Sequence, residues 1–170
     1  MMLWWVGAAL AAEVDVLLGL GAALHSSPTD LAAGVGGGPG VRVHGPWGLA
    51  AELRASALVY SGPLLAVDLN ALRYFEVGRL HPALGLGVST LWGPRVRIAE
   101  DPEAIGPLWA PAASLRAVLR PLTFREGPWE VCALGLSVGA APPPPKTVSV
   151  GIELLTVSGR LGWVAPTEGW

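Results

Sequence analysis

A two-residue alternation runs through residues 47–77, WGLAAELRASALVYSGPLLAVDLNALRYFEV. One parity is apolar on each side of the turn signal at 61–63, and the polar and charged side chains, apart from Arg73, all fall on the other parity. Successive side chains of a strand point to opposite faces, so the pattern predicts a hairpin of two long strands. Arg73 is the only ionisable residue on the apolar face. Both signs of charge on the other face indicate that it lines the inside of a closed barrel, with the apolar face toward lipid.

Strand length separates this interpretation from a soluble one. The predicted strands are longer than the roughly 5–6 residues common in globular proteins, and they have the length that a tilted strand needs to cross a bilayer. The alternative is a soluble β-barrel with its apolar face inward, which would carry an apolar ligand. A soluble surface usually carries more charge than this chain has, since 52% of its residues are hydrophobic and 14% are charged. We therefore expect an all-β protein, an eight-stranded antiparallel up-and-down transmembrane β-barrel.

The ends of the alternation divide the chain. Residues 1–12, MMLWWVGAALAA, have the short apolar core and small-residue cleavage site of a signal peptide, although no Lys or Arg precedes the core. The alternative for this segment is a first strand or a short anchor. The alternation begins at Glu13 and predicts a barrel over 13–158, so that 159–170 would be the end of the last strand or a short tail.

The predicted connections fall into two groups. With the N-terminus in the periplasm, the connections at 45–46, 78–81 and 125–128 are periplasmic and short, and the long segment 93–112 is on the outer side. Bacterial outer-membrane barrels show this asymmetry. Aromatic residues fall at strand ends, as interfacial girdles require. The predicted girdle comprises Trp47, Phe75, Phe124 and Trp129 at periplasmic ends and Trp92, with Tyr60, at outer ends.

This architecture resembles the small eight-stranded outer-membrane barrels, such as the OmpA membrane domain and OmpX. The resemblance covers residues 13–158 and depends on the alternation, not on a specific motif. Many members end in an aromatic residue preceded by alternating apolar positions, and Leu161 and Trp163 fit that pattern better than the terminal Trp170 does. The resemblance implies a location in the bacterial outer membrane.

Charged residues at inward positions predict the content of the lumen. The interior of an eight-stranded barrel is just wide enough to be filled by side chains, and buried charges must be paired. We therefore predict an ion-pair network that plugs the lumen, whereas a selective ion pore is the alternative. The predicted network comprises Glu13, Asp15, Arg42, Glu52, Arg54, Asp68, Glu76, Arg116, Arg120 and Glu153.

The sequence offers weak candidates for catalysis. His44, Ser56 and Glu52 share the inward parity but lie at different depths, and His25 lies beside Ser26–Ser27 in an outer loop without an identified acid. A lipid-acyl hydrolase therefore stays open, although the sequence favours a role without catalysis. The single cysteine, Cys132, excludes an internal disulfide, and no metal-ligand spacing is present, so we expect no metal and no cofactor.

The segment 93–112 is the most plausible working surface, because loops on rigid scaffolds carry recognition. Arg95, Arg97 and Trp109 are its contact candidates, and the alternative is that the loop merely folds over the barrel mouth. The predicted partners are outer-membrane lipid and an extracellular ligand or envelope protein. A net charge of −2 points away from nucleic acid. The sequence thus favours a structural or surface-interaction role.

Overall fold

The structure is a computed structural model that describes residues 13–27, 30–60, 63–93, 96–97, 112–141 and 148–161. These residues are almost entirely extended. None of the described helical segments is long and apolar enough to span a membrane. The strands are β1 (Glu13–Ser26), β2 (Asp30–His44), β3 (Leu49–Tyr60), β4 (Pro63–Tyr74), β5 (Ala83–Trp92), β6 (Val96–Arg97), β7 (Ala112–Glu126), β8 (Trp129–Ala140) and β9 (Val148–Leu161).

Eight of these strands close into one antiparallel barrel. They neighbour one another in the order β1-β9-β8-β7-β5-β4-β3-β2, and β1 also pairs with β2, which completes the circle. The two-residue strand β6 lies outside this circle, because Val96 and Arg97 pair with the first residues of β2. The predicted eight-stranded up-and-down barrel is confirmed.

The connections between strands alternate between the two ends of the barrel. Residues 45–48, 75–82 and 127–128 connect strands at one end, which we call the turn end. Residues 27–29, 61–62, 93–111 and 141–147 join strands at the opposite end, the loop end. The predicted grouping of connections is therefore confirmed. Strand β9 continues to Leu161, so residues 159–161 are the end of the last strand. The signal peptide predicted at 1–12 and residues 162–170 lie outside the described residues.

The first turn-end connection makes the opening hairpin shorter than predicted. Trp47 was expected in a strand, but β3 begins at Leu49 because Trp47 and Gly48 both have positive φ, 59° and 71°. The N–H of Leu49 donates to the carbonyl of Pro46, so Pro46 to Leu49 form a tight type I′ hairpin turn. Strand β4 likewise ends at Tyr74, before the predicted limit at residue 77.

A bulge resolves the irregular parity of β8. Leu122 of β7 pairs with Leu134, yet the next residue, Thr123, pairs with Cys132, so one residue of β8 is skipped. The bulge puts Glu130 and Cys132 inside the barrel while later apolar residues of β8 face outward. The sequence of β8 predicts a bulge near residue 132, because Glu130 and Cys132 share a parity with Leu134, Leu136 and Val138. The register shift confirms it.

The two faces of the wall have the predicted polarity. Leu53 and Leu69 on the outside are 49% and 55% exposed, whereas Glu52 on the inside is fully buried. The inside is not uniformly polar, since a cluster of buried apolar side chains lies in the lumen toward the loop end. The members of this cluster are Ala32, Leu58, Leu64, Ala66 and Leu91. The barrel thus has an apolar outer wall, a charged middle and an apolar group beneath its loops.

Candidate functional site

Glu52 is the centre of the charged lumen. It lies on β3 and accepts hydrogen bonds from two arginines on other strands. Arg42 on β2 reaches it through Nε at 3.0 Å and Nη2 at 2.9 Å, and Arg120 on β7 reaches it through Nη1 at 2.7 Å and Nη2 at 2.6 Å. Both arginines are buried. Charge-assisted bonds of this geometry are the strong ones, and they fix three strands against one another across the lumen.

Two more glutamates balance the arginines. Arg42 Nη1 donates to Glu130 at 2.5 Å, and Arg120 Nε donates to Glu153 at 2.7 Å. Arg54 pairs with Glu153 and lies 3.4 Å from Glu52. We call these six side chains the central network, in which three arginines face three glutamates, so that it is electrically neutral. Its members are Arg42, Glu52, Arg54, Arg120, Glu130 and Glu153.

Glycines on neighbouring strands make room for the network. A Cβ on Gly19 would lie 2.7 Å from Nη1 of Arg54 and 2.8 Å from Oγ1 of Thr156. A Cβ on Gly135 would lie 2.5 Å from Oε2 of Glu153. These inward glycines are therefore part of the ion-pair design, since a larger residue would displace the groups that neutralise one another.

A second polar group lies nearer the turn end. The side chains of His44 and Asp15 approach to 2.7 Å, and Asp15 lies 3.9 Å from Arg42 of the central network. At the rim, Glu13 pairs with Arg160 at 2.6 Å and with Arg125 at 3.6 Å. Glu13 is half exposed there, so it belongs to the mouth of the barrel and its pairs are screened by water.

A third polar group lies on the loop side of the central network. Arg116 Nη1 pairs with Asp68 at 3.1 Å, and its Nη2 donates to Asn70 at 3.0 Å. The hydroxyl of Ser89 donates to Asp68 at 2.7 Å. A cavity of about 70 Å³ lies between this group and the central network, and both contribute to its lining. Polar and apolar groups both line it, and its volume suits a few ordered water molecules held by the polar ones.

Most of the predicted lumen residues point inward, but Glu76 does not. Glu76 is exposed in the connection after β4, because that strand ends at Tyr74, and no ion pair within the described residues includes it. The prediction for Glu76 is therefore wrong. The structure brings the remaining predicted residues to the inside or the rim: Glu13, Asp15, Arg42, Glu52, Arg54, Asp68, Arg116, Arg120 and Glu153.

Glu130 and Tyr74 are members of the lumen that the sequence analysis missed. Glu130 is buried against Arg42, and the bulge in β8 was the signal that could have placed it inside. The ring of Tyr74 lies beneath the guanidinium of Arg42, with 5.3 Å from Cζ to the ring centroid. Its inward parity at the end of β4 was visible, although an aromatic residue at a strand end is more often assigned to a girdle.

The five described girdle residues are all exposed on the outside. Trp47, Phe75, Phe124 and Trp129 lie at the turn end, and Trp92 lies at the loop end. The side chain of Tyr60 is outside the described residues. The turn that ends β2 aims Trp47 outward, where it is 71% exposed. The aromatic side chains therefore form a partial girdle around the turn end.

The other candidates are dispersed or outside the described residues. His44 is opposite Ala50, whereas Ser56 lies six positions further along β3, roughly 20 Å away at the rise of a strand, so the two cannot act as nucleophile and base. The described residues contain no cluster of metal ligands. Arg95 and Trp109 lie outside the described residues, and only the backbone of Arg97 is described, in β6.

Comparison with solved structures supports the fold. The N-terminal β-barrel domain of Pseudomonas aeruginosa OprF matches with a TM-score of 0.56 at 11% identity, covering 88% of this chain and 97% of that chain. Neisserial surface protein A (NspA) matches with a TM-score of 0.55 at 13% identity, covering 87% and 97%. The chain has the fold of the small eight-stranded outer-membrane barrels. No protein-family model matches it, and no curated protein has significant sequence similarity to it.

Proposed function

We propose that this protein is a small bacterial outer-membrane β-barrel with a structural or surface-interaction role, whose lumen is plugged by ion pairs. The observation that carries the proposal is the inverted polarity of the wall. Large apolar side chains face outward on every barrel strand, whereas the arginines and glutamates of the central network lie inside the barrel. A soluble carrier of an apolar ligand requires the opposite arrangement.

The amount of exposed apolar surface supports a bilayer as the surroundings. Leu18, Leu69 and Leu86 are 62%, 55% and 71% exposed on three different strands. Soluble monomers rarely expose contiguous apolar patches above a few hundred Å². A closed barrel pairs its backbone groups between strands, which is the condition for placing β-structure in hydrocarbon. Lipid around the barrel would therefore remove the apolar side chains of the outer wall from contact with water.

The central network supports a closed lumen. Its arginines and glutamates reach across the barrel from β2, β3, β7, β8 and β9, and the apolar cluster lies in the lumen above it. Side chains thus occupy the cross-section at two levels. Ion flow would require both the apolar cluster and the central network to move aside, and moving the central network would separate paired charges.

The long connection 93–111 is where a surface-interaction role would reside. Arg95, Arg97 and Trp109 remain its contact candidates, on a scaffold that the paired strands make rigid. One of the structural neighbours is named a surface protein. An outer-membrane lipid environment with an extracellular ligand or an envelope protein as partner fits this arrangement.

Fractionation tests the location. We expect the expressed protein to sediment with outer membranes, to resist extraction at alkaline pH, and to migrate differently on gels before and after boiling. Mass spectrometry of the membrane-derived protein should give a chain that begins at Glu13, as cleavage of 1–12 requires. A monomer that stays soluble without detergent would contradict the proposal.

Deletion of residues 98–108 tests the role. A surface-interaction role predicts that the deletion removes binding to a captured ligand while the melting temperature stays unchanged. A loop that only covers the barrel mouth predicts the reverse, a lower melting temperature with no change in binding.

A further inference from the structure

An apolar groove lies on the outer wall at the turn end. It has a volume of about 620 Å³, within the range of roughly 300–1,000 Å³ that small-molecule sites occupy. Small outward residues, Ala51 and Ala71, form its floor on β3 and β4, and larger ones such as Leu49, Leu84 and Leu86 form its sides. The groove is therefore a depression between adjacent strands of the apolar face, not an opening into the lumen.

Arg73 borders this groove. It is the one cation that the described strand residues place on the outer face, and no carboxylate among the described residues pairs with it. Its guanidinium lies over the ring of Phe75, with 5.9 Å from Cζ to the ring centroid. Phe75 and Trp47 belong to the aromatic girdle at the turn end. Arg73 therefore lies at the depth where such girdles meet lipid headgroups.

We propose that this groove binds one phospholipid, whose phosphate pairs with Arg73 and one of whose acyl chains lies over Ala51 and Ala71. The inference rests on the proposed membrane location. A guanidinium is suited to phosphate because it donates two parallel hydrogen bonds, and no carboxylate of the described residues competes for the guanidinium of Arg73. The apolar floor next to it supplies the complementary site for the chain of the same molecule.

Charge and position favour a phospholipid over other occupants. A second copy of the chain would have to offer an anion to Arg73 from its outer face, yet the outer face is apolar along the described strands. In the proposed orientation the turn end faces the periplasm, where the inner leaflet consists of phospholipid. The anionic headgroup therefore comes from the lipid that already surrounds the groove.

Native mass spectrometry of the detergent-purified barrel tests the proposal, with palmitoyl-oleoyl phosphatidylglycerol as the anionic probe and the matching diacylglycerol as the uncharged one. We expect one retained phosphatidylglycerol per barrel. Arg73→Gln should weaken its retention about tenfold, the effect of losing a charge-assisted hydrogen-bond pair, and Arg73→Lys should restore part of it. Retention of diacylglycerol should not change in Arg73→Gln.

Filling the groove separates a defined site from general coating of the wall. Ala71→Leu should reduce retention of both probes, whereas Ala55→Leu, which adds the same side chain outward on β3 beyond the groove, should not. Equal retention by the parent protein, Arg73→Gln and Ala71→Leu would overturn the proposal, and so would a dimer mass in place of bound lipid. A parent protein that never shows the heat-dependent gel shift would overturn the membrane location itself, which distinguishes the two failures.

Discussion

Replacing Glu52 or Arg120 tests whether the central network stabilises the barrel by charge balance. Glu52→Leu leaves three arginines facing two glutamates, and Arg120→Leu leaves the opposite excess. Each single replacement leaves a buried charge without its partner, which typically lowers the free energy of unfolding by about 3–5 kcal/mol. The double replacement removes one charge of each sign and keeps the pairs Arg42–Glu130 and Arg54–Glu153.

The expected result is a strongly non-additive pair. If the two sites were independent, the double variant would lose about 6–10 kcal/mol, the sum of the singles. Because the remaining charges are balanced, and because well-packed apolar residues can replace a buried ion pair at little cost, we expect the double variant to be at least as stable as either single one. Arg120 is the partner to replace, because it lies 2.6 Å from Glu52, whereas Arg54 lies 3.4 Å from it.

Urea unfolding of the barrel in lipid vesicles, followed by tryptophan fluorescence, measures the free energies of unfolding. Glu13→Gln is the matched control, because its pairs lie at the exposed rim and should contribute about 0–1 kcal/mol. A double variant whose loss equals the sum of the singles to within about 0.5 kcal/mol would refute the reasoning, because no coupling would then exist between Glu52 and Arg120.

Three further outcomes follow from the wall and the lumen. In vesicles, Leu69→Arg in the middle of the outer wall should lower the free energy of unfolding by about 2–4 kcal/mol, and Val77→Arg at the turn end by about 0–1 kcal/mol. Equal losses for the two variants would contradict a bilayer around the barrel. Gly19→Ala should lower the melting temperature by displacing Arg54, whereas Gly45→Ala, where the nearest atom to the new Cβ is 3.7 Å away, should leave it unchanged. Planar bilayers containing the protein should stay at leak conductance, and discrete current steps would contradict a plugged lumen.

Which side chains point outward and which point inward could be predicted from the sequence, because this depends only on the two-residue period of a strand. Leu53 and Glu52 are adjacent in the chain and must point to opposite sides of the wall, so the position of one determines that of the other. The bulge in β8 was also predictable, because Glu130 and Leu136 share a parity and cannot share a face without energetic cost.

The partners inside the lumen could not be predicted in the same way. Glu52 and Arg120 belong to β3 and β7, which are not neighbours in the barrel, so no ladder register relates them. Their contact depends on strand tilt, stagger and side-chain length, which alternation does not encode. The prediction that a strand includes Trp47 failed for a local reason. The tight turn at Trp47 and Gly48 uses positive φ angles that a simple apolar pattern does not reveal.

The ladder between β1 and β9 has a consequence for how the molecule forms. It joins Val14 to Leu161, almost the full described length apart, and no earlier pairing can substitute for it. Until the final strand has been synthesised, β1 and β8 each present a row of open hydrogen-bonding groups to any other chain. A version ending before Val148 should therefore aggregate or need a chaperone, and the cell must keep this polypeptide apart from its own copies until the last segment arrives.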